Sequence, residues 1–288
     1  MADSVHDIAI ALAAFDLFRT PGRITVELRE RGRLGLERAL ASLDEQSRAS
    51  LELKALDCAN KGVGVTMFGD RDFPPNLVVG KSVTAPILFY RGNIDLIDKA
   101  GIGMSGSRAV TTVGMKAANT CGFEVSRRGL VVVSGYAKGV DSETHLSALR
   151  SGGSTVIVLA EGIDHFRVKK DFAEHFDPER TLVISQFAPA QPWSAYAAMA
   201  RNAVIFGLGL ALVIIEAGEK GGTLAAGQAA LKLGRPVFVL DFGDATPPGN
   251  RKLIEEGSIP VRSPSELGDR LDELKRDVLV RVRPDALF

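Results

Sequence analysis

The sequence predicts an α/β protein with a doubly wound, mostly parallel, Rossmann-like sheet and a small N-terminal helical domain. Three observations lead to this prediction: short runs of β-branched residues, the regular spacing of those runs, and helix-forming segments between them. The runs are 130–133, 155–159, 181–184, 211–215 and 236–240. Strands that are apolar along their whole length are covered on both faces, which is typical of a parallel sheet between two layers of helices.

The spacing of these runs corresponds to one strand and one helix per repeat. Their centres lie about 25 to 30 residues apart, roughly the length of a βα unit. The intervening segments that favour helix are 113–127, 142–150 and 224–233. Gly152 and Gly234 follow the last two segments and fit helix C-terminal caps. A sixth strand is expected at 100–105 and a short seventh strand at 259–261.

The segments that flank the sheet predict the domain organisation. Residues 1–72 carry helical patterns and predict the small N-terminal domain. Residues 73–90, which contain two proline-bearing stretches, are expected to form an extended connector. The Rossmann-like domain then covers 91–262, and the mixed charges of 263–288 predict a C-terminal helical tail.

Composition excludes several classes of protein. The 35 basic and 35 acidic side chains cancel, so any contact with nucleic acid must come from a local patch. Cys58 and Cys121 form no Cys-x-x-Cys pair, which argues against a disulfide framework or a thiolate zinc site. No apolar stretch approaches the roughly 20 residues of a membrane helix, and the start is not that of a signal peptide, so we expect a cytoplasmic protein without a membrane partner.

Motifs for common catalytic and metal sites are also missing from the sequence. It contains no His-Glu-x-x-His, no Walker Gly-x4-Gly-Lys-Ser/Thr and no Gly-x-Ser-x-Gly elbow. The stretch from Gly101 to Gly106 matches Gly-x-Gly-x-x-Gly, but its first two glycines lie inside the predicted strand rather than after it. We therefore predict no metal, no cofactor, no catalytic residue and no enzymatic activity.

Candidate binding residues follow the carboxyl ends of the strands, where such folds bind ligands. The first loop is Gly106-Ser107-Arg108. A glycine there permits close backbone approach, and a guanidinium can bind a phosphate. A helix cap with a solvated arginine is an equally good interpretation of this triplet alone.

The second and third loops also combine glycines with a lysine. The second contains Ser134, Gly135, Tyr136, Lys138 and Gly139, and it leads into a helix on which Asp141 and His145 share a face. These two side chains either order the loop or contact a ligand, and a capping Asp with a satisfied His explains them equally well. Tyr136 is the candidate for base stacking, with a packed loop side chain as the alternative. The third loop contains Lys220, Gly222 and Thr223, where a phosphate seat and a simple N-cap look identical in sequence.

Taken together, the motifs of residues 86–261 resemble those of the DprA/Smf family of DNA-processing proteins. The motifs are Gly106-Ser107-Arg108, Ser134-Gly135-x-Ala137-Lys138-Gly139-Val140-Asp141-x3-His145, Gly162-x-Asp164, Arg201-Asn202-x3-Phe206-Gly207-Leu208, Glu216-Ala217 and Gly249-Asn250-x2-Leu253-Ile254-x2-Gly257. This sequence departs from the family pattern at Ala203, where the family has a second arginine, and at 165–169, which replace Tyr-Pro-x-x-Asn.

The resemblance implies a protein that binds single-stranded DNA and helps to load a RecA-type recombinase in DNA uptake or recombination, commonly as a homodimer. It also implies that Arg108 and Lys138 contact DNA and that Arg201 and Asn202 belong to the site. The alternative is a nucleotide-binding or sensing protein of the wider superfamily that includes the phosphoribohydrolases. Gly221-Gly222-Thr223 resembles part of their motif, but Ala226 stands where their chemistry needs a glutamate.

Overall fold

Helices and strands alternate along most of the chain in the computed structural model, which describes residues 2–282 and the side chains of 4–277. The α-helices of this part are α1 (Ala2–Phe18), α2 (Pro21–Ala41), α3 (Glu45–Asn60), α4 (Thr112–Ser126), α5 (Val140–Arg150), α6 (Ala195–Leu208), α7 (Gly222–Lys232), α8 (Pro248–Glu255) and α9 (Pro264–Val282). The strands are β1 (Gly64–Met67), β2 (Val78–Val79), β3 (Ser82–Val83), β4 (Ile87–Gly92), β5 (Gly101–Ser105), β6 (Val131–Ser134), β7 (Ser154–Val158), β8 (Thr181–Ser185), β9 (Gly209–Ile214), β10 (Val237–Leu240) and β11 (Ile259–Val261).

Nine of the described strands form one sheet in the order β1-β4-β8-β7-β6-β5-β9-β10-β11. All neighbours from β8 to β11 are parallel. The remaining two strands of the sheet are antiparallel to their neighbours, β4 to β8 and β1 to β4. The seven strands predicted from sequence are the seven parallel ones, so the predicted α/β class with a mostly parallel sheet is confirmed.

Neighbouring residues of one strand pack into cores on opposite faces of the sheet. This explains why the predicted strands are apolar at every position and do not alternate with polar residues. In β6, Val131 and Val133 pack in a core that includes α6, whereas Val132 packs on the opposite face with Ala118 and Val125 of α4. All three valines are at most 2% exposed. Because both faces of the strand are covered, every position is apolar.

The N-terminal helices pack against the same sheet. Ile8 and Ile24 are fully buried in a core that also contains Phe89, Ile157 and Val183 of the sheet strands. Strands β1 and β4 come from segments predicted as the end of the helical domain and as the connector, so the sheet crosses the boundary placed at residue 72. The domain limits themselves stay a prediction, and residues 283–288 of the predicted tail lie outside the described residues.

The strand order places a crevice beside β5. The chain moves outward from β5 through β6 and β7 to β8, then returns to form β9 on the other side of β5. At such a reversal the loops from the two neighbouring strands diverge, which leaves space for a ligand at their carboxyl ends. Within residues 2–282, no helix combines the length and apolar character of a membrane span.

Candidate nucleic-acid interface

The loops after β5, β6 and β9 and the first turns of α6 and α7 surround a cleft of about 420 Å³. Eight of the predicted site residues line it: Gly106, Ser107, Arg108, Arg201, Asn202, Lys220, Gly222 and Thr223. A hollow of about 300 Å³ adjoins this cleft and shares Arg108, Trp193 and Arg201 with it. Lys138 lines the hollow, so the structure brings Arg108 and Lys138 to one surface. We call the cleft and the hollow together the strand-end cleft.

The first two loops contact each other through their backbones. Gly139 has φ +82, and a Cβ there would lie 2.4 Å from the Ser107 carbonyl oxygen. The same oxygen accepts a hydrogen bond from Val140 N–H at 3.3 Å. Glycine at 139 therefore supplies both the positive φ and the space that this contact needs. Gly139 therefore joins the first two loops.

Three backbone amides of the first loop, which lines the cleft, have no hydrogen-bond partner among the described residues. They are the N–H groups of Gly106, Ser107 and Arg108. The Ser107 hydroxyl accepts from Ala109 N–H at 3.1 Å, which shapes the loop. Unpartnered amides next to an exposed guanidinium can bind an oxyanion.

The start of α4 is occupied by a carboxylate of the protein itself. Both oxygens of the buried Glu216 lie within 3.2 Å of Thr111 N–H, and one also accepts from the Thr111 hydroxyl at 2.8 Å. A negative charge there stabilises the positive end of the helix dipole. The contact ties the loop after β9 to the loop after β5, and it leaves the helix start closed to a phosphate.

A buried ion pair orders the second loop. Arg201 donates to Asp141 at 3.1 Å, and their side chains are only 8% and 6% exposed. Asp141 also accepts from Ala137 N–H at 3.3 Å. A Cβ at Gly135 would lie 2.0 Å from the Arg201 guanidinium, so the glycine makes room for the pair. Of the two alternatives for Asp141, ordering the loop is what the geometry shows.

His145 also supports the second loop and is fully buried. Its Nε2 lies 2.6 Å from the Gly135 carbonyl oxygen and its Nδ1 lies 2.5 Å from the Thr155 hydroxyl. Since a carbonyl oxygen only accepts, Nε2 is the donor in its contact with Gly135. Burial lowers the pKa of His145 to about 4, with the nearby Arg201 and Lys169 acting in the same direction. His145 therefore positions the loop and does not reach the ligand.

Ser134 is a correction to the predicted site. It is fully buried, and its hydroxyl donates to the Met104 carbonyl oxygen on β5 at 2.7 Å. The side chain therefore joins two strands and cannot contact a bound phosphate.

The third loop leaves its helix start open. Helix α7 begins at Gly222 without a side-chain cap, and Gly222 and Thr223 line the cleft beside the exposed Lys220. Asn202 donates to the Gly222 carbonyl oxygen at 3.4 Å, which connects α6 to this loop. Helix α5 also begins without a side-chain cap, whereas the start of α4 is capped by Thr111 and bound by Glu216.

Trp193 is the aromatic residue that the sequence analysis missed. The residue is 52% exposed, and the Arg108 guanidinium carbon lies 5.7 Å from the centroid of its ring. Trp193 precedes the N-cap of α6, Ser194, and lines both parts of the strand-end cleft. The only available signal was that the single tryptophan of the chain lies in a polar, proline-containing stretch.

Tyr136, by contrast, is half-buried and packs against other side chains. It packs against Phe166 and Phe172, both with centroids at 5.3 Å, and Lys169 Nζ lies 4.0 Å from its ring centroid. Lys169 also donates to the Tyr136 carbonyl oxygen at 2.7 Å. Burial lowers the pKa of this lysine. Lys169 thus stabilises the second loop through the Tyr136 carbonyl oxygen and the Ser142 hydroxyl.

The sequence of this chain is similar to those of known DNA-processing proteins. A family model described as DNA recombination-mediator protein A matches residues 64–272. DNA processing protein DprA of Streptococcus pneumoniae is 34% identical over 184 residues, which cover 62% of this chain and 64% of that protein. DprA of Bacillus subtilis is 30% identical over 220 residues, which cover 74% of this chain and 73% of that protein. The match to the pneumococcal protein thus spans less than two thirds of its length.

Solved structures show the same fold. The X-ray structure of DprA from Streptococcus pneumoniae matches with a TM-score of 0.65 and 27% identity, covering 92% of each chain. DNA processing protein A from Helicobacter pylori, whose structure concerns its single-stranded DNA binding mode, matches with a TM-score of 0.64 and 22% identity, covering 73% of this chain and 96% of that one. Because the family model spans all nine strands of the sheet and all three loops of the cleft, the chain belongs to the DprA/Smf family of DNA recombination-mediator proteins.

Proposed function

We propose that this protein binds single-stranded DNA in the strand-end cleft and assists a RecA-type recombinase in DNA uptake or recombination, without catalysing a reaction. The observation that supports this most is the convergence of Arg108, Lys138 and the unpartnered amides of residues 106–108 on one surface. A fixed set of amides with mobile cations suits a phosphodiester backbone. The homodimer and the recombinase partner are carried over from the family as parts of the same proposal.

Phosphates would contact the first loop and the open start of α7. Arg108, Lys138 and Lys220 are all exposed, so each can follow a phosphate without breaking an internal ion pair. Arg201 differs, because its charge is neutralised by Asp141. The site would therefore be largely indifferent to sequence and sensitive to salt, with a slope of about 0.7 for each phosphate neutralised.

Trp193 gives this site a stacking surface for a base. The exposed Tyr196 and Met199 follow it on α6, and Met199 also lines the cleft. Base stacking on an aromatic side chain contributes about 1 to 3 kcal/mol per base. The site thus places an exposed aromatic ring beside the residues that would bind the DNA phosphates. This combination favours single-stranded DNA over a duplex, whose bases are already stacked on one another.

The test is a titration of the purified protein with oligo-dT, the matching duplex and a panel of mononucleotides at two salt concentrations. We expect oligo-dT to bind more tightly than the duplex, to quench the fluorescence of the single tryptophan, and to weaken as salt rises. Trp193→Ala should lower oligo-dT affinity by roughly tenfold. Exposed Phe123→Ala on α4, which lines neither part of the strand-end cleft, is the matched control for loss of a surface ring. Saturable mononucleotide binding without oligonucleotide binding would replace this function with nucleotide sensing.

A further inference from the structure

A second cavity lies on the other side of the loop that supports Tyr136. It has a volume of about 480 Å³ and lies between the C-terminal end of α3, strand β4 and the segment after β7. Three cationic side chains line it, Lys61, Arg91 and Arg167, together with the carboxylate of Asp164. Phe166, Phe176 and Val183 contribute an apolar wall. None of these residues belongs to the predicted binding site.

The three cations differ in how they are compensated. Lys61 forms an ion pair with Asp57 and lies 3.9 Å from Asp164. Arg167 donates to the backbone carbonyl oxygens of Asp164 and Phe166, both at 2.7 Å. Arg91 makes no ion pair or hydrogen bond through its guanidinium within the described part of the chain. Its positive charge is therefore available to an anion that enters the cavity.

This cavity and the strand-end cleft share a wall. Phe166 lines the cavity, and its ring contacts Tyr136 with centroids 5.3 Å apart. Tyr136 in turn lines the hollow that contains Lys138. The Tyr136 hydroxyl donates to the Arg167 carbonyl oxygen at 3.3 Å. Tyr136 and Phe166 therefore form a layer of side chains between the hollow that contains Lys138 and the cavity that contains Arg91.

We propose that the cavity binds further nucleotides of the same DNA single strand, with Arg91 on a phosphate and the half-buried Phe176 beside an unstacked base. This inference rests on the proposed function. A cation above an apolar wall fits the two halves of a nucleotide, and positively charged grooves lined with aromatic side chains are the usual track for single strands. The strand-end cleft then binds short oligonucleotides alone, whereas longer ones engage both places.

The test compares Arg91→Gln with wild-type protein on oligo-dT of about 6 and about 20 nucleotides, lengths near the lower end and above the upper end of the roughly 4 to 16 nucleotides that a single-strand-binding fold covers. We expect unchanged affinity for the short oligonucleotide. For the long one we expect roughly tenfold weaker binding and a salt slope smaller by about 0.7. Arg91→Glu should weaken the long oligonucleotide further. Exposed Arg23→Gln on α2, which lines neither the cavity nor the cleft, is the matched control.

Each outcome separates this proposal from the proposed function. Equal affinity of folded Arg91→Gln and wild-type protein for the long oligonucleotide overturns the second contact and leaves the strand-end cleft intact. An equal loss for both lengths also overturns it, because Arg91 would then act on the fold or on the first site. If the wild-type protein binds neither length, the proposed function fails and this extension of it fails too. Circular dichroism and thermal unfolding of each variant identify loss of fold.

Discussion

Replacing Arg201 with methionine tests whether this residue orders the second loop rather than contacting phosphate. The change retains much of the volume of the side chain and removes the charge. It leaves the Asp141 carboxylate, 6% exposed, with only the Ala137 N–H as a hydrogen-bond donor. We expect the variant to be less stable by about 3 to 5 kcal/mol, because a buried charge that loses its partner is strongly destabilising. That loss is a large part of the roughly 5 to 15 kcal/mol that stabilise a typical domain.

A double variant provides the matched control. Asp141→Asn removes the orphaned charge and retains an oxygen for Ala137 N–H. Arg201→Met with Asp141→Asn should therefore be more stable than the sum of the two single changes implies, with a coupling of about 1 to 3 kcal/mol.

Urea denaturation followed by circular dichroism gives the free energies of unfolding for the cycle. Oligonucleotide titration of the folded fraction gives the second readout, since an arginine that only orders the loop leaves the salt slope unchanged. Additive free energies, or a single variant that costs less than about 1 kcal/mol, would refute the reasoning about the buried pair. A salt slope that falls in Arg201→Met would place the guanidinium on a phosphate instead.

Two further predictions concern the second loop. Gly139→Ala should destabilise the protein and weaken oligonucleotide binding more than Gly152→Ala does. Both positions have positive φ, but only a Cβ at 139 would meet backbone atoms, of which the Ser107 oxygen is the nearest. Similar losses for the two variants in thermal unfolding and in oligonucleotide titration would contradict this. Stability should also fall as pH decreases from 6.5 toward 4, by up to about 3 kcal/mol, because unfolded His145 takes up a proton that the buried ring, with its pKa of about 4, does not. Urea denaturation across this range should show a shallower pH dependence in His145→Gln, and an unchanged dependence would mean that His145 is not the group responsible.

The parallel part of the fold could be predicted from sequence because its cause is local. Runs such as 130–133 are apolar at every position, since both faces of those strands are covered. Strands β1 and β4 were missed for the opposite reason. They pair antiparallel at one side of the sheet, and their neighbours in sequence include prolines that indicate an extended connector. The residues of β4 give no indication in the sequence that this strand pairs with β8.

The sequence predicted which loops form the candidate site, but not which of their residues order the loops and which are free to bind a ligand. Glycines and cations after three strands indicated where a ligand would lie. Glu216 at the start of α4 and Arg201 against Asp141 are contacts between residues 105 and 60 positions apart in sequence. Such distant pairs are invisible to spacing rules, so the sequence did not show that the protein's own Glu216 occupies the start of α4 or that Asp141 neutralises Arg201. Trp193 was missed because exposure, not residue type, makes it a candidate for stacking.

The central claim is that Arg108 and Lys138 bind one DNA backbone together. Its most direct test is the salt dependence of oligo-dT binding by the double variant Arg108→Ala, Lys138→Ala. A control variant, Lys99→Ala with Lys232→Ala, loses the same charge at exposed positions that line neither part of the cleft. We predict that the first variant folds, binds oligo-dT more weakly and has a salt slope smaller by about 1.4, which is two phosphates at about 0.7 each, while the control binds as the wild type does. A folded Arg108→Ala, Lys138→Ala variant with wild-type affinity and salt slope would contradict the claim.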